Sequence, residues 1–314
     1  MVRALGSDSL FPSPYSVASS QTVRSYTQVR PDYPQEVVER IWASLPSPLV
    51  AEMGAGTGIF TRQLLRLGAQ VIAVEPAAAM RNELERAIRS EPTQAMHSEL
   101  GPETRGKLER AMCSDLVDSL TTSGRPPTVL PRLLIVDAVA EDSSLPAECV
   151  DGVVFAQSFH WMDQSRALAE TARVLRPGGL VAVVANQLDV RWAWVHRLTR
   201  IMRSGDVLSP ELGPVFAAPL IGLPFFEVSW VQELSVAGVL ELARTRSSYV
   251  RQSPEGRARM QRNLRWYLLE KLGFCELDTV RIPYRSFLWS ARKRAEGEEL
   301  VTSSRNSKPL SHHS

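Results

Sequence analysis

The chain has 314 residues, ample for a complete α/β core with one elaborated cap. Hydrophobic residues make up 44% and charged residues 22%, with a formal net charge of +2, so bulk electrostatics give no case for a nucleic-acid or membrane partner. Cys113, Cys149 and Cys275 are isolated and odd in number, which suggests neither a metal cluster nor a secreted disulfide framework and fits a reducing compartment.

Residues 1–25 read as a disordered leader, with Asp8 as the acid of the first thirty positions and several serines. The same composition supports organelle import as the alternative to a cytoplasmic location. No uninterrupted apolar run approaches the roughly 20 residues that a membrane span needs. Candidate strands and helices then alternate. Pro34 to Ser44 is expected to be helical, with proline where its missing N–H costs nothing. Leu49–Met53 is a strand, Phe60–Leu67 a helix, Gln70–Glu75 a strand and Ala77–Arg89 a helix. Ser90 to Pro131 is an insertion of about 40 residues, far longer than an ordinary connection. Leu108, Met112, Leu116 and Leu120 recur in it at helical spacing, and Ser123-Gly124-Arg125-Pro126-Pro127 is loop. Arg132–Asp137 and Gly152–Gln157 are strands. Gln164–Leu175 is a helix stopped by Pro177-Gly178-Gly179, and Leu180–Asn186 is the next strand.

Beyond Leu188 the pattern becomes helical, at Trp192–Met202, Gly238–Arg251 and Arg257–Leu272, with strand character at Phe225–Leu234 and Asp278–Trp289. Residues 188–277 are therefore expected to hold a helical cap set into the end of the sheet, and residues 291–314 a polar, disordered tail. The expected architecture is one α/β domain over residues 26–290. Its sheet is doubly wound, mostly parallel and seven-stranded, since short apolar runs between helices imply strands covered on both faces.

The chemistry concentrates at strand ends. Glu52-Met53-Gly54-Ala55-Gly56-Thr57-Gly58 closes the first strand with three alternate glycines, and Val74-Glu75-Pro76 closes the second with a carboxylate. This is the layout of a nucleotide-cofactor site at the first crossover. A dinucleotide fingerprint has its third glycine three positions after the second, whereas here it follows after two, which argues against a nicotinamide oxidoreductase. These blocks come in order with Ala156-Gln157-Ser158-Phe159-His160-Trp161-Met162-Asp163 and Arg173-Val174-Leu175-Arg176-Pro177-Gly178-Gly179. Together they resemble the methyltransferase type 11 group of class I S-adenosylmethionine methyltransferases, close to its trans-aconitate-methyltransferase-like branch. The resemblance extends from Tyr26 to about Lys293.

The resemblance implies S-adenosylmethionine as cofactor, a Rossmann-like class I fold and no metal. It places Gly54, Gly56 and Gly58 under the amino-acid end of the cofactor, Glu52 on its ammonium, and Glu75 with Pro76 at the ribose. Val139-Ala140-Glu141 aligns with an x-Ala-Glu block near adenine, which makes Ala140, Glu141 and the Asp137 carboxylate candidates there. Gln157 lies at the carboxyl edge of the sheet, where ligands of open α/β folds bind. His160 and Trp161 follow it, and a similar pair in plant carboxyl-methyltransferases resembles a donor set for a carboxylate. They are the catalytic candidates, with His160 either an orienting donor for an acid or a base for a hydroxyl or amine. Tyr26, Arg30 and Tyr33 are expected to close over the site, and Arg191 with Trp192 to meet an acidic substrate. Arg257, Arg259, Arg262 and Arg265 read as a solvated helix face, and Tyr249 and Trp266 as cap core. The expected function is methylation of a small molecule, most plausibly O-methylation of a carboxylic acid. The alternative is a catalytically inactive binding protein that acts through interaction.

Overall fold

The computed structural model describes residues 20–91, 128–130, 132–203 and 213–295. Its sheet contains β1 (Leu49–Met53), β2 (Gln70–Val74), β3 (Thr128–Leu130), β4 (Leu133–Val136), β5 (Val150–Ala156), β6 (Leu175–Leu188), β7 (Leu220–Gly222), β8 (Phe226–Ser235) and β9 (Thr279–Lys293). The order is β3-β4-β2-β1-β5-β6-β9-β7, and β8 also pairs with β9. The strands β4-β2-β1-β5-β6 are parallel, and β9 and β8 continue them antiparallel. Those strands are the seven expected from the sequence. Two three-residue additions, β3 on β4 and β7 on β9, complete the sheet.

The parallel strands are apolar on both faces because both faces are covered. On one face Ala51, Met53, Ile72, Val74, Val153 and Phe155 pack under Ala167 and Val174 of a helix at Gln164–Val174. On the other, Val50, Val71, Ala73 and Ile135 pack under the helices α2 (Gln35–Ser44), α3 (Ile59–Arg66) and α4 (Ala78–Arg89). Val37, Val38, Ile41, Phe60, Leu64, Leu65, Leu84 and Ile88 supply the helical side of that layer. In the cap, Val195, Leu198, Val239, Leu242, Met260 and Leu264 pack over Val280 and Ile282 of β9.

Several expectations are corrected. Part of the expected leader 1–25 lies outside the described residues, and the rest is helical, because Ser20–Val29 forms a helix, α1, anchored by the buried Val23 and Val29. Its polar composition hid it, since its stability comes from tertiary contacts rather than propensity. The end of the 90–131 insertion adds strand β3 at Thr128–Leu130, while its proposed helical leucines and the expected loop at 123–127 lie outside the described residues. Pro177-Gly178-Gly179 does not follow the helix as a separate stop. The chain passes from Val174 directly into β6, and the Pro-Gly pair sits where the pairing with β5 shifts register. β9 runs to Lys293, past the expected start of the tail at 291.

In the cap, the expected helix Gly238–Arg251 is two, Val236–Arg244 and Ser247–Val250. Thr245 turns its hydroxyl back onto Leu242 O at 2.8 Å, and Arg246 is extended, with φ −83° and ψ 143°. Side-chain capture of the last carbonyls is the competitor that ends the helix. The expected helix at 257 starts earlier, at Pro254, where Ser253 Oγ caps Gly256 N. Among the described residues, no helix is long and apolar enough to cross a membrane.

Candidate functional site

The site is built where β1 and β2 end side by side. Gly54 N and Ala55 N both donate to Val74 O, at 2.8 and 3.2 Å, which folds the glycine loop back onto the tip of β2. Gly54, Gly56 and Gly58 have φ of 71°, 58° and 77°, the left-handed region that costs a side-chain-bearing residue roughly 1–2 kcal/mol. The three differ in what surrounds them. A Cβ on Gly54 would stand 2.7 Å from Ser158 Cβ, and one on Gly58 would stand 2.8 Å from Leu84 Cγ. Over Gly56 there is open space within 4 Å.

This contrast gives an expected result. Gly54→Ala combines strain with a clash and lowers stability by roughly 1–3 kcal/mol, several degrees in thermal unfolding. Gly56→Ala adds strain alone, so it costs less stability, yet its methyl fills the space left above the loop and weakens cofactor binding. Unfolding scans with and without S-adenosylmethionine separate the two effects.

Two carboxylates flank the loop. Glu52 is 1% exposed and accepts from Thr61 Oγ1 at 2.5 Å. Burial pushes its carboxyl up to about 8, the Thr61 hydroxyl opposes this, and the nearby Glu75 charge adds to it. Glu75 is 6% exposed, with Oε2 accepting from Gly56 N and Oε1 from Ala77 N, both at 2.9 Å. Burial raises its pKa, and those two N–H donors hold it down. Arg81 Nη1 donates to Glu75 O at 2.7 Å and to Asp137 Oδ1 at 2.9 Å, and so ties the ends of β2 and β4 together. Thr57 Oγ1 is buried without a hydrogen-bond partner. A buried hydroxyl without a partner is costly, which makes Thr57 Oγ1 a candidate contact for a ligand over the loop. Helix α3 starts at Gly58 without a side-chain cap, leaving its first N–H groups available to a negative group.

The end of β5 forms the next wall. Gln157 has φ 57°, and its N–H donates to Val184 O at 2.9 Å while its side-chain amide donates to Asn186 O. A left-handed conformation in a non-glycine residue is stored strain of the kind that collects at functional sites. Ser158 Oγ donates to Met53 O at 2.6 Å, which fixes this loop against the glycine loop. His160 and Trp161 follow in a single turn of 3₁₀ helix, ring centroids 5.0 Å apart, both exposed to solvent. The Arg251 guanidinium from the cap lies 5.4 Å over the Trp161 ring.

The other predicted residues fall in mixed places. Pro76 lies between Glu75 and the start of α4. Ala140 is buried in the core, and Glu141 Oε1 accepts from Asp163 N at 2.8 Å, so that carboxylate holds the loop after Trp161. Tyr26 packs near Val23, Ala77, Met80 and Val250. Arg30 lies 4.7 Å over the Tyr26 ring and donates to Thr245 Oγ1 and O, at 3.1 and 2.9 Å. Together these contacts join the end of α1 to the cap. Tyr33 is core, edge-on to Phe60 at 4.9 Å, and burial with Tyr26 and Glu52 nearby drives its hydroxyl pKa well above the ordinary value. Arg191 forms a two-point pair with Asp189, both contacts at 2.8 Å, rather than standing ready for a substrate.

Thr57, Thr61, Arg81 and Ser158 were not singled out from the sequence. Thr57 sits inside the glycine block and Arg81 in the first turn after Glu75, so their spacing carried a signal. Ser158 needed the fold. Trp266 is half exposed and covered by Lys271, while Tyr249 packs in the cap core. Arg257 bonds Tyr249 O and Val250 O, so that member of the basic row holds the preceding helix end. Among the described residues no group of three or more His, Cys, Asp or Glu is placed to hold a metal ion.

The arrangement suits S-adenosylmethionine. There is a buried acid for an ammonium, an unpartnered Thr57 hydroxyl, open space over Gly56 and a second acid at the adjacent strand tip. Comparison with known proteins agrees. Residues 102–183 match the model of a methyltransferase domain family. An uncharacterized methyltransferase of Mycobacterium tuberculosis is 27% identical over 272 residues, covering 86% of this chain and 93% of that protein. An uncharacterized methyltransferase-like protein of Schizosaccharomyces pombe is 26% identical over 184 residues, 57% of this chain and 56% of that protein. A solved chain from Anaeromyxobacter dehalogenans, named as a type II methyltransferase, has a TM-score of 0.56 at 21% identity, covering 85% of this chain and 99% of that one, and shares the fold.

Proposed function

We propose that this class I, S-adenosylmethionine-dependent methyltransferase O-methylates a small carboxylic acid at the mouth formed by His160 and Trp161. The observation that supports the acid is the donor-rich, cationic character of that mouth, where His160 and Trp161 stand exposed and Arg251 lies over the indole. The resemblance to the trans-aconitate-methyltransferase-like branch points the same way.

When bound, S-adenosylmethionine supplies an electrophilic methyl on a positive sulfur. The chain's task is then to hold and align. Glu52 takes the ammonium end, Glu75 the ribose hydroxyls through its remaining lone pairs, and Thr57 a polar atom above the glycine loop. Ser158 fixes the His160–Trp161 loop against Gly54, which sets the distance between cofactor and acceptor. Such alignment can supply up to about 7–11 kcal/mol of barrier lowering. A carboxylate is ionised at neutral pH and needs no base, so His160 serves as the orienting donor.

The test is transfer of labelled methyl to a panel of small acids, amines and phenols. Product from acids that releases methanol in mild base supports the reading, and turnover of amines or phenols alone overturns it. His160→Ala is expected to leave cofactor affinity unchanged and to lower kcat roughly ten- to a hundredfold, as misalignment does. Equal kcat in the variant would remove His160 from the mechanism.

A further inference from the structure

A formal net charge of +2 conceals a concentration of positive charge on the cap. The helices Ala193–Met202 and Pro254–Trp266 run antiparallel, side by side. At one end Tyr267 Oη donates to Trp194 O at 3.0 Å. At the other, Ser248 Oγ, shortly before the second helix begins, donates to Met202 O at 2.9 Å. Val195 and Leu198 of the first helix and Met260 and Leu264 of the second point into the cap core. The opposite sides carry Arg197, Arg200 and Arg203, and Arg259 with Arg262, all exposed. Residues 193–203 contain no acid. Among the described residues none of these five arginines pairs with a carboxylate, whereas the neighbouring Arg244 and Arg265 do, with Glu241 and Glu276.

Where the second helix ends, apolar side chains stand in water beside these charges. The Arg265–Glu276 pair brings the turn before β9 against the helix end. Asp278 N donates to Cys275 O at 3.0 Å, and Cys275 N to Asp278 Oδ2 at 2.7 Å, so the turn is closed. It holds Leu277 out, 96% exposed. Trp266, next to Arg265, is 47% exposed, and Lys271 Nζ lies 5.3 Å from its ring centroid. Trp192, 56% exposed, opens the first helix at this same end. A single exposed leucine is ordinary on a protein surface. Two indoles and a leucine on a hydrogen-bonded turn, at the end of a double row of arginines, have the composition of an interfacial anchor. Tryptophan settles at headgroup level there, and cations meet lipid phosphates.

We propose that this face of the cap docks the protein on an anionic lipid bilayer. Each arginine near the negative surface strengthens partition roughly fivefold. Leu277 and Trp266 enter the boundary between headgroups and acyl chains. A nucleic acid is the competing polyanion, and it fits the face less well. Leu277 offers nothing for a base to stack on, and Lys271 takes one face of the Trp266 ring. A bilayer uses the leucine, the indole and the cations together. Docking is independent of which acceptor is methylated.

The experiment sediments the full-length protein with vesicles of equimolar phosphatidylcholine and phosphatidylglycerol, and with vesicles of phosphatidylcholine alone. Binding is expected to the anionic vesicles only, and it falls steeply as salt is added. The double variant Arg259→Gln, Arg262→Gln loses roughly tenfold or more of the partition, and Leu277→Ser loses severalfold. Arg259→Lys with Arg262→Lys keeps parental binding, because a bilayer reads the charge rather than the planar guanidinium fork. These positions are exposed, so melting temperature and S-adenosylmethionine affinity stay at parental values in every variant. A parent that ignores anionic vesicles, or binds neutral ones equally, overturns the proposal. So does parental vesicle binding by the glutamine variant or by Leu277→Ser. A labelled DNA duplex that binds the parent more tightly than the vesicles do, and is lost in the glutamine variant, overturns it in favour of a nucleic-acid surface.

Discussion

Glu75→Ala is expected to weaken S-adenosylmethionine binding by roughly ten- to a hundredfold, since hydrogen bonds to a charged group contribute about 1.5–3 kcal/mol. The loss has two sources. One is the ribose contact itself. The other is the loop, because Glu75 Oε2 accepts from Gly56 N and Oε1 from Ala77 N, and the Ala77 donor is buried. Without the carboxylate the cradle loses the group that fixes Gly56 opposite the tip of β2. Glu75→Gln separates these contributions. Its amide oxygen keeps one backbone bond, but its NH₂ faces a second donor, so it recovers part of the affinity and not all. Calorimetric titration with S-adenosylmethionine, alongside unfolding scans of the free proteins, measures both losses. Parent-like affinity in Glu75→Ala would show that the cofactor does not lie across this strand tip.

The cradle was legible in the sequence because its geometry is local. Alternate glycines after an apolar run, an acid before them and an acid at the end of the next run describe neighbouring strand tips with little freedom in how they meet. The parallel core was legible for a related reason, since strands such as Gln70–Val74 are buried on both faces and read as short apolar runs. What the sequence hid depends on long-range contacts. Helix α1 has a polar composition and is held by contacts with α4 and the cap. The break at Thr245–Arg246 comes from a side chain competing for helix carbonyls, a contest that periodicity does not record. Arg191 looked available beside Trp192, but Asp189, two residues earlier, closes on it.

Cofactor affinity is expected to peak near pH 8 and to fall on both sides, and Glu52 is the reason. In the free protein burial holds its carboxyl up to about 8, so at neutral pH it is mostly protonated. An ammonium placed against it favours the carboxylate, so binding releases a proton below that pH, and affinity rises up to about tenfold per pH unit between about 6 and 8. Above about 8 the amino group of the ligand loses its own proton, near the usual α-amino value, and affinity falls again. The same shift acts on stability with the opposite appearance. Glu52 titrates near 4.5 when exposed in the unfolded chain and near 8 in the fold, so the folded state binds the extra proton between those values. Stability from this group is therefore full below about 4.5 and is lost as pH rises through 8. Glu52→Gln keeps an acceptor for Thr61 and removes the titration. At pH 8.5 the free variant should be more stable than the parent, by an amount on the order of a few kcal/mol. It should also bind S-adenosylhomocysteine weakly, without the rise between pH 6 and 8. Titrations of both proteins across that range, in buffers of different ionisation enthalpy, read the proton release directly. A parent whose affinity is flat from pH 6 to 8 would mean that Glu52 does not face the ammonium, and the buried acid would then be a partner of Thr61 alone.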